Sequence, residues 1–410
     1  MATSLVETIA AWRVRRQLRP LTLCHFTTVH TELKSRSFHR QMMPLAARGI
    51  TIRYVAPVES GARLNGVDII ALAKRKSRLR RFFSFPTLFR TLLRQRADLY
   101  HFQDTELLPV AFALKLLFRR RVIYDAYEDF PAMVAARKSL PRVVRPLATK
   151  IVDAAERLAA RAFDGLMTAD PLTLRRFAKV GGSKKLVLYN FPNLDLFPAP
   201  CAHARGFDLI YRGGLSERAG TYMLLDAMRL LADQGRGVEL LLIGYFDDPV
   251  AEKNLRERIH ELGLASSIAI RGRMDHERMA QTLSEARIGV CPLQPVPKFM
   301  RNIPVKVFEY WACAMPVVAS DLPPIRPFFR HAEAGLLYSA DSANQLAQAI
   351  AWLLDHPQAA ARMGRLGRAL VERRLNNSGE IQKLLRFCEC IAGRDVTPAE
   401  SRCGEMSQHA

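Results

Sequence analysis

The stretch RNIPVKVFEYWACAMPVVAS, Arg301–Ser320, decides the fold class of this 410-residue chain. Val305–Cys313 reads as a helix, and Pro316–Ala319 follows it as a continuous apolar strand. A strand without polar alternation is what a parallel sheet covered on both faces requires. Outward from this pair the same unit recurs. Strands are expected at Phe207–Arg212, Val238–Ile243, Ser267–Arg271 and Ile288–Pro292, with helices at Tyr222–Asp233, Glu252–Leu262, His276–Glu285 and Ala343–Leu354. Asn190–Arg205 holds Pro192, Pro198 and Pro200 and reads as a linker. Before it lies a second alternation, with strands at Leu21–Thr27, Thr51–Ala56, Leu99–Phe102, Val122–Tyr127, Phe163–Thr168 and Lys185–Tyr189. Phe38, Met42 and Leu45 share one helical face that ends at Gly49. Repeated strand–helix units imply doubly wound α/β sheets. The expected organisation is two Rossmann-like domains facing a cleft, 1–195 and 196–375, then a C-terminal helix and frayed tail over 376–410.

The charge is divided unevenly. Residues 1–200 hold 35 basic and 15 acidic side chains, a net of +20, whereas 201–410 hold 26 and 24, a net of +2. A polyanionic partner is therefore expected for the first half. The densest run is Lys74–Phe85, where Lys74, Arg75, Lys76, Arg78, Arg80 and Arg81 precede Phe82, Phe83 and Phe85. Leu88, Phe89, Leu92 and Leu93 follow, interleaved with Arg90, Arg94 and Arg96, and further cations lie at Arg142, Arg145 and Lys150. Basic residues beside aromatics fit a segment lying on an anionic membrane. The plainer reading is a solvated basic helix with its phenylalanines in the core. No nucleic-acid-binding motif is present, and no nucleic-acid partner is expected.

Seven cysteines without a CxxC pair give no zinc site and no disulfide framework, so a reducing compartment is expected. The longest apolar run, Leu107–Phe118, is broken by Lys115 and is shorter than the roughly 20 residues of a span. Arg13, Arg15, Arg16 and Arg19 follow the first apolar stretch, whereas a signal peptide carries its charge before one; none is expected.

Two stretches carry chemistry. Tyr211–Gly220, YRGGLSERAG, follows a strand and opens a helix. Gly213 and Gly214 let the backbone approach a ligand, the helix start offers N–H groups to an anion, and Arg212 and Arg218 are placed to bind a diphosphate. In Arg301–Ser320, Lys306 and Glu309 stand three apart on one helical face. The lysine can neutralise phosphate and the glutamate can accept from sugar hydroxyls; the alternative is a surface ion pair.

The run from Asn302 through Lys306, Glu309 and Tyr310 to Pro316-Val317-Val318-Ala319-Ser320 resembles the donor-site signature of glycosyltransferase family 4, which has the GT-B fold. The 213–220 turn resembles that family's glycine loop. Thr28-Val29-His30 with Arg36-Ser37-Phe38, then His101–Pro109, then Tyr124–Pro131 resemble a bacterial polysaccharide-type subgroup. These motifs cover about residues 20–375 in order. The resemblance implies a retaining, metal-independent transferase without a cofactor, moving a sugar from a nucleotide sugar on the C-terminal domain to an acceptor on the N-terminal domain. Lys306, Glu309, Arg218 and Tyr127 would be the catalytic set, and Gly213, Gly214, Arg212, Asn302 and Arg301 would bind the donor. His30, Arg36, His101, Asp104, Glu128 and Asp129 are the acceptor-side candidates; for Asp129 and Glu128 the alternative is helix capping. The helix near 379–392 would cross back to the first domain. A polyprenyl-diphosphate-linked glycan acceptor, a place in surface or exopolysaccharide synthesis and a peripheral location on the cytoplasmic face of the inner membrane complete the expectation. Two departures stand out: Arg301 occupies the position eight before Glu309 where the family often has Glu, and Tyr127 stands where the subgroup often has His. They motivate a second reading, a non-catalytic GT-B protein that binds nucleotide sugar or anchors an assembly. A nucleotide-sugar epimerase is a third.

Overall fold

The computed structural model describes residues 19–29, 37–74, 81–135, 137, 140–197, 206–274, 276–330 and 333–394. The chain divides into two compact units. One comprises Met1–Tyr189 with Glu380–Ala410, and the other Asn190–Gly379. The boundaries thus fall at 189 and 379, where the sequence suggested 195 and 375.

The first unit is built on one sheet. Its strands are β1 (Thr22–Phe26), β2 (Thr51–Ala56), β3 (Ala62–Leu64), β4 (Val67–Ala71), β5 (Leu99–Phe102), β6 (Arg121–Ala126), β7 (Gly165–Thr168) and β8 (Lys184–Val187). Their spatial order is β3-β4-β2-β1-β5-β6-β7-β8, parallel except for the β3–β4 pair. β3 and β4 were not expected from the sequence; Asp68 interrupts the apolar run there, as suits a short strand near a sheet edge.

Side chains alternate between the two faces of this sheet. On one face Phe26, Phe102 and Tyr124 stack in a row, with ring centroids 5.3 and 5.0 Å apart. Three helices cover that face: α1 (Phe85–Gln95), α2 (Leu108–Leu116) and α4 (Arg145–Ala162), with α3 (Phe130–Ala135) packed on α4. Leu88 and Leu92 of α1 are buried in this core, and Phe85, Phe89 and Leu93 pack against it. The apolar side of the basic segment is therefore core, and the plainer reading of it holds for α1. Only Phe82 and Phe83, just before the helix, stand exposed; residues 75–80 lie outside the described residues. On the other face, Leu23, Ile52, Ile123 and Met167 meet Leu384, Phe387 and Ile391 of the last helix, Asn377–Ala392.

A buried ionic cluster ties α4 to the sheet. Arg176 Nη2 donates to Glu156 (2.7 Å) and to Asp153 (2.8 Å), and Arg176 also pairs with Asp129 at 3.5 Å. The Tyr124 hydroxyl donates to Glu156 at 2.7 Å. Burial pushes the Glu156 carboxyl up, while the Arg176 cation and the tyrosine hydrogen bond pull it back toward the charged form.

The second unit has six parallel strands: β9 (Phe207–Gly214), β10 (Leu240–Tyr245), β11 (Ile268–Arg271), β12 (Ala286–Cys291), β13 (Val317–Ser320) and β14 (Gly335–Tyr338). Their order, β11-β10-β9-β12-β13-β14, is the 3-2-1-4-5-6 order of a dinucleotide-binding Rossmann sheet. Its helices include α5 (Thr221–Asp233), α6 (Pro249–Glu261), α7 (His276–Leu283), α8 (Val305–Ala312), α9 (Ala343–Asp355) and α10 (Pro357–Arg373), so the final helix is α11. Side-chain caps start two of them: Asp248 accepts from Ala251 N–H at 2.8 Å, and Ser342 from Gln345 N–H at 3.2 Å. Trp311 anchors α8, its indole N–H donating to Ala334 C=O at 2.9 Å. β14 and α10 were not expected from the sequence. Among the described residues no helix is long and apolar enough to cross a membrane.

Removing one partner of a buried ion pair leaves the other charge uncompensated. Arg176→Met is expected to lower unfolding free energy by about 3 kcal/mol, through the stranded Glu156. Urea unfolding of the full chain measures this, and Arg157→Met, at an exposed helical pair, serves as the near-neutral reference.

Candidate functional site

In a doubly wound sheet, ligands settle at the carboxyl ends of the strands, where strand order reverses. In the C-terminal unit that point lies between β9 and β12. The two strands pair from Ala286↔Phe207 to Gly289↔Ile210. Beyond that pairing a tyrosine joins them. Arg212 N–H donates to the Tyr310 hydroxyl at 3.0 Å, and that hydroxyl donates to Val290 C=O at 3.4 Å. Tyr310 belongs to the second half of α8, so this bridge fixes α8 against the end of β9.

The charged residues assemble around it. Arg212, on β9, forms an ion pair with Glu309, whose side chain is fully buried. Lys306, one turn earlier on α8, places its ammonium 4.0 Å from the centroid of the Tyr211 ring. The Tyr211 hydroxyl donates to Gly214 C=O at 2.8 Å, which shapes the turn leaving β9. Gly213 has φ +149°, and a Cβ built there would fall 2.9 Å from Lys306 Nζ. The missing side chain is what lets the amine reach the strand end. Gly220 closes the loop at φ +81°, with its Cα side pressed on Pro292 C=O, where a Cβ would lie 1.6 Å away. Burial lowers the Lys306 ammonium to about 8; the Arg212 cation adds to the effect and Glu309 opposes it. Burial pushes the phenols of Tyr211 and Tyr310 well up, so both remain neutral hydrogen-bonding groups.

Lys306, Glu309, Arg212 and Gly213 are thus brought together. Arg218 is placed differently: its side chain is exposed and pairs with Asp247 at 2.9 Å, after β10. Gly214 ends β9 beside the Tyr245 ring. Asn302 and Arg301 lie in the segment before α8, where the N–H groups of both donate to Lys298 C=O. Arg212 was expected to face a diphosphate; its ion pair gives it the added task of holding Glu309. Tyr211 and Tyr310 were missed. A tyrosine just before a glycine turn, and one directly after the site glutamate, were the available signals.

The N-terminal unit has its own reversal point between β1 and β5. Asp104 is buried there, accepting from Thr27 Oγ1 at 2.6 Å and from Thr28 N–H at 3.4 Å. Glu106, not expected, accepts from Thr28 Oγ1 at 2.9 Å and pairs with Arg81 at 3.0 Å. His101 lies inside the sheet and is buried against His25, Nδ1 to Nδ1 2.8 Å, with His25 stacked on Tyr54 at 4.8 Å. Tyr127 and Glu128 are half-buried past the end of β6, the tyrosine ring edge-on to Phe130 at 5.6 Å. Asp129 accepts from Ala132 N–H at 3.1 Å and belongs to the Arg176 cluster, so it caps α3. His30 and Arg36 lie outside the described residues.

Comparison with known proteins agrees with this fold. Residues 206–356 match the family described as "Glycosyl transferases group 1". The chain is 28% identical over 179 residues to the amylovoran biosynthesis glycosyltransferase AmsK of Erwinia amylovora, covering 43% of each chain. It is 28% identical over 207 residues to a phosphatidyl-myo-inositol mannosyltransferase of Mycolicibacterium smegmatis, covering 50% of this chain and 49% of that one. The matches therefore span about half the length of these curated relatives. Among solved structures, sucrose-phosphate synthase of Thermosynechococcus elongatus superposes with a TM-score of 0.71 at 19% identity, covering 89% of this chain and 98% of that one. Anabaena HepE, solved in complex with UDP, gives 0.70 at 17% identity, covering 90% and 100%. The chain has the GT-B fold, and residues 206–356, within its C-terminal unit, are similar to the group 1 glycosyl transferases.

Proposed function

We propose that this protein is a retaining, metal-independent glycosyltransferase using a nucleotide-sugar donor. The observation that carries this reading is the placement of Lys306 Nζ against Gly213 at the end of β9, beside the Arg212–Glu309 pair. When the bond from the sugar to the diphosphate breaks, negative charge grows on the departing nucleoside diphosphate. A fixed cation at a water-poor strand end stabilises that charge without reorganising. Lys306 fills this role, and the N–H groups of the glycine loop add to it. Glu309, enclosed and paired with Arg212, holds α8 so that Lys306 meets the diphosphate. Arg218 reaches the donor after exchanging Asp247 for phosphate. With retention, the proton of the attacking hydroxyl passes to the leaving phosphate, which removes the need for a separate carboxylate base.

The acceptor is taken by the N-terminal unit, with Tyr127, Glu128 and Asp104 in reach of its hydroxyls. Its class is a glycan on polyprenyl diphosphate, built at the cytoplasmic face of an anionic membrane during surface or exopolysaccharide synthesis. The similarity to AmsK, an amylovoran biosynthesis glycosyltransferase, and the net charge of +20 over residues 1–200 support this assignment. The non-catalytic alternative rests on Arg301 and Tyr127. It would be established by donor binding with neither transfer nor hydrolysis across a broad acceptor panel.

Thermal unfolding against UDP, GDP, ADP and CMP, then their sugar conjugates, tests the donor site. One nucleotide is expected to raise the melting temperature selectively by mass action. Lys306→Ala should weaken that binding roughly 10- to 100-fold, the usual loss for a charge-assisted hydrogen bond, and abolish transfer. Wild-type turnover in this variant would sink the assignment.

The pH dependence has a definite sign. A lysine lowered to about 8 carries its charge below that pH and loses it above. Nucleotide affinity is therefore expected to be flat below about 8 and to fall about tenfold per pH unit above it, until the ligand-bound lysine itself titrates. Calorimetric titration of wild type and Lys306→Ala would show the slope in the first and none in the second. Equal slopes would assign the proton elsewhere.

A further inference from the structure

The membrane partner proposed above has a specific face on this molecule, the outer side of helix α4. Helix α4 turns one side inward, with Glu156, Ala159 and Ala160 buried. Its opposite side carries Leu147, Ile151 and Leu158, which are 62%, 59% and 55% exposed. At about 100° per residue, Leu147, Ile151, Ala154 and Leu158 fall within about 60° of one another, so they form a single stripe. Val143, just ahead of the helix, is 87% exposed. Soluble surfaces seldom line up large aliphatic side chains in this way.

The charges beside the stripe have one sign. Lys150, Arg157 and Arg161 occupy the adjoining sector and are exposed. Among the described residues only Arg157 of the three has an ion-pair partner, Asp153, which Arg176 shares. The other acid of α4, Glu156, is buried on the inner side. An aliphatic stripe edged by cations matches an interfacial helix lying on anionic lipid. A second copy of the chain fits less well: a two-fold contact through this face would set the same cations near one another, in a half of the chain already at +20.

We propose that the outer face of α4 docks the N-terminal unit on an anionic bilayer surface. Leu147, Ile151 and Leu158 enter the acyl boundary, and Lys150, Arg157 and Arg161 lie among the headgroups. The inner-side Arg176 cluster holds the helix so that this face is presented preformed. The inference rests on the membrane-side acceptor reading and gives it an address.

Sedimentation of the full chain with vesicles tests it, using phosphatidylcholine alone and phosphatidylcholine mixed with phosphatidylglycerol. Wild type is expected to pellet with the mixed vesicles and to release in high salt. The triple variant Leu147→Gln, Ile151→Gln, Leu158→Gln should lose at least about tenfold in partition. Lys150→Gln with Arg161→Gln should lose about fivefold per cation. Both variants should keep the wild-type nucleotide-induced melting shift, which shows that the fold and the donor site are intact. Wild-type partition in both variants would overturn the assignment of this face and leave the membrane reading standing. Failure of the wild type to bind mixed vesicles would overturn both. A dimer, detected by light scattering and dissociated by the triple variant while vesicle binding persists, would give the face to a second copy and also overturn the proposal.

Discussion

A buried carboxylate needs a cation, and the ion pair between Glu309 and Arg212 is the constraint on which the C-terminal site depends. Glu309 is fully enclosed, and Arg212 supplies a cation beside its carboxylate. Arg212 lies on β9 and Glu309 on α8, so the pair sets one element against the other. The Tyr310 hydroxyl sets the same junction through the backbone. With α8 fixed this way, the position one turn before Glu309 must point at the end of β9. Lys306 occupies it, and the absent side chain at Gly213 leaves space for its amine. Each contact serves the placement of a single partly desolvated cation at the strand reversal.

The two units share a parallel core with one reversal of strand order, and they differ in what they display there. In the C-terminal unit the strand ends offer a lysine, an arginine and a glycine-rich backbone. In the N-terminal unit they offer Asp104, Glu106 and the hydroxyls of Thr27 and Thr28, already bonded to one another. The first set suits a diphosphate and the second suits neutral hydroxyls. This contrast matches the proposed division between a donor unit and an acceptor unit, and it comes from side chains on an otherwise repeated scaffold.

The strands were readable because a doubly covered parallel sheet demands continuous apolar runs, and Leu240–Tyr245 or Val317–Ser320 are hard to read otherwise. The missed strands, Ala62–Leu64, Val67–Ala71 and Gly335–Tyr338, are short and lie near or at sheet edges, where that demand relaxes. Lys306, Glu309 and the glycine turn were visible as motifs, but the roles of Tyr211 and Tyr310 were not. A buried tyrosine looks like any core aromatic until the strand it bridges is known. The helices show the sharper limit. Phe85–Gln95 and Arg145–Ala162 both carry aliphatic residues at helical spacing among arginines. In the first, the aliphatic side meets the core; in the second, part of it faces out. Periodicity identifies a stripe without saying what covers it.

Helix α11 follows the C-terminal unit in the chain yet covers one face of the N-terminal sheet, through Leu384, Phe387 and Ile391. Order of synthesis then bears on order of assembly. When residues 22–187 have left the ribosome, the face bearing Leu23, Ile52, Ile123 and Met167 still lacks its lid. The whole of Asn190–Gly379 must be translated before that lid arrives, and this intervening unit contains its own complete sheet. The second-made unit can therefore close first, while the first-made one waits with an open apolar surface. Apolar surface left open in this way is prone to aggregation. A ribosome stalled just past residue 379 would leave a finished C-terminal unit tethered to an unfinished N-terminal one.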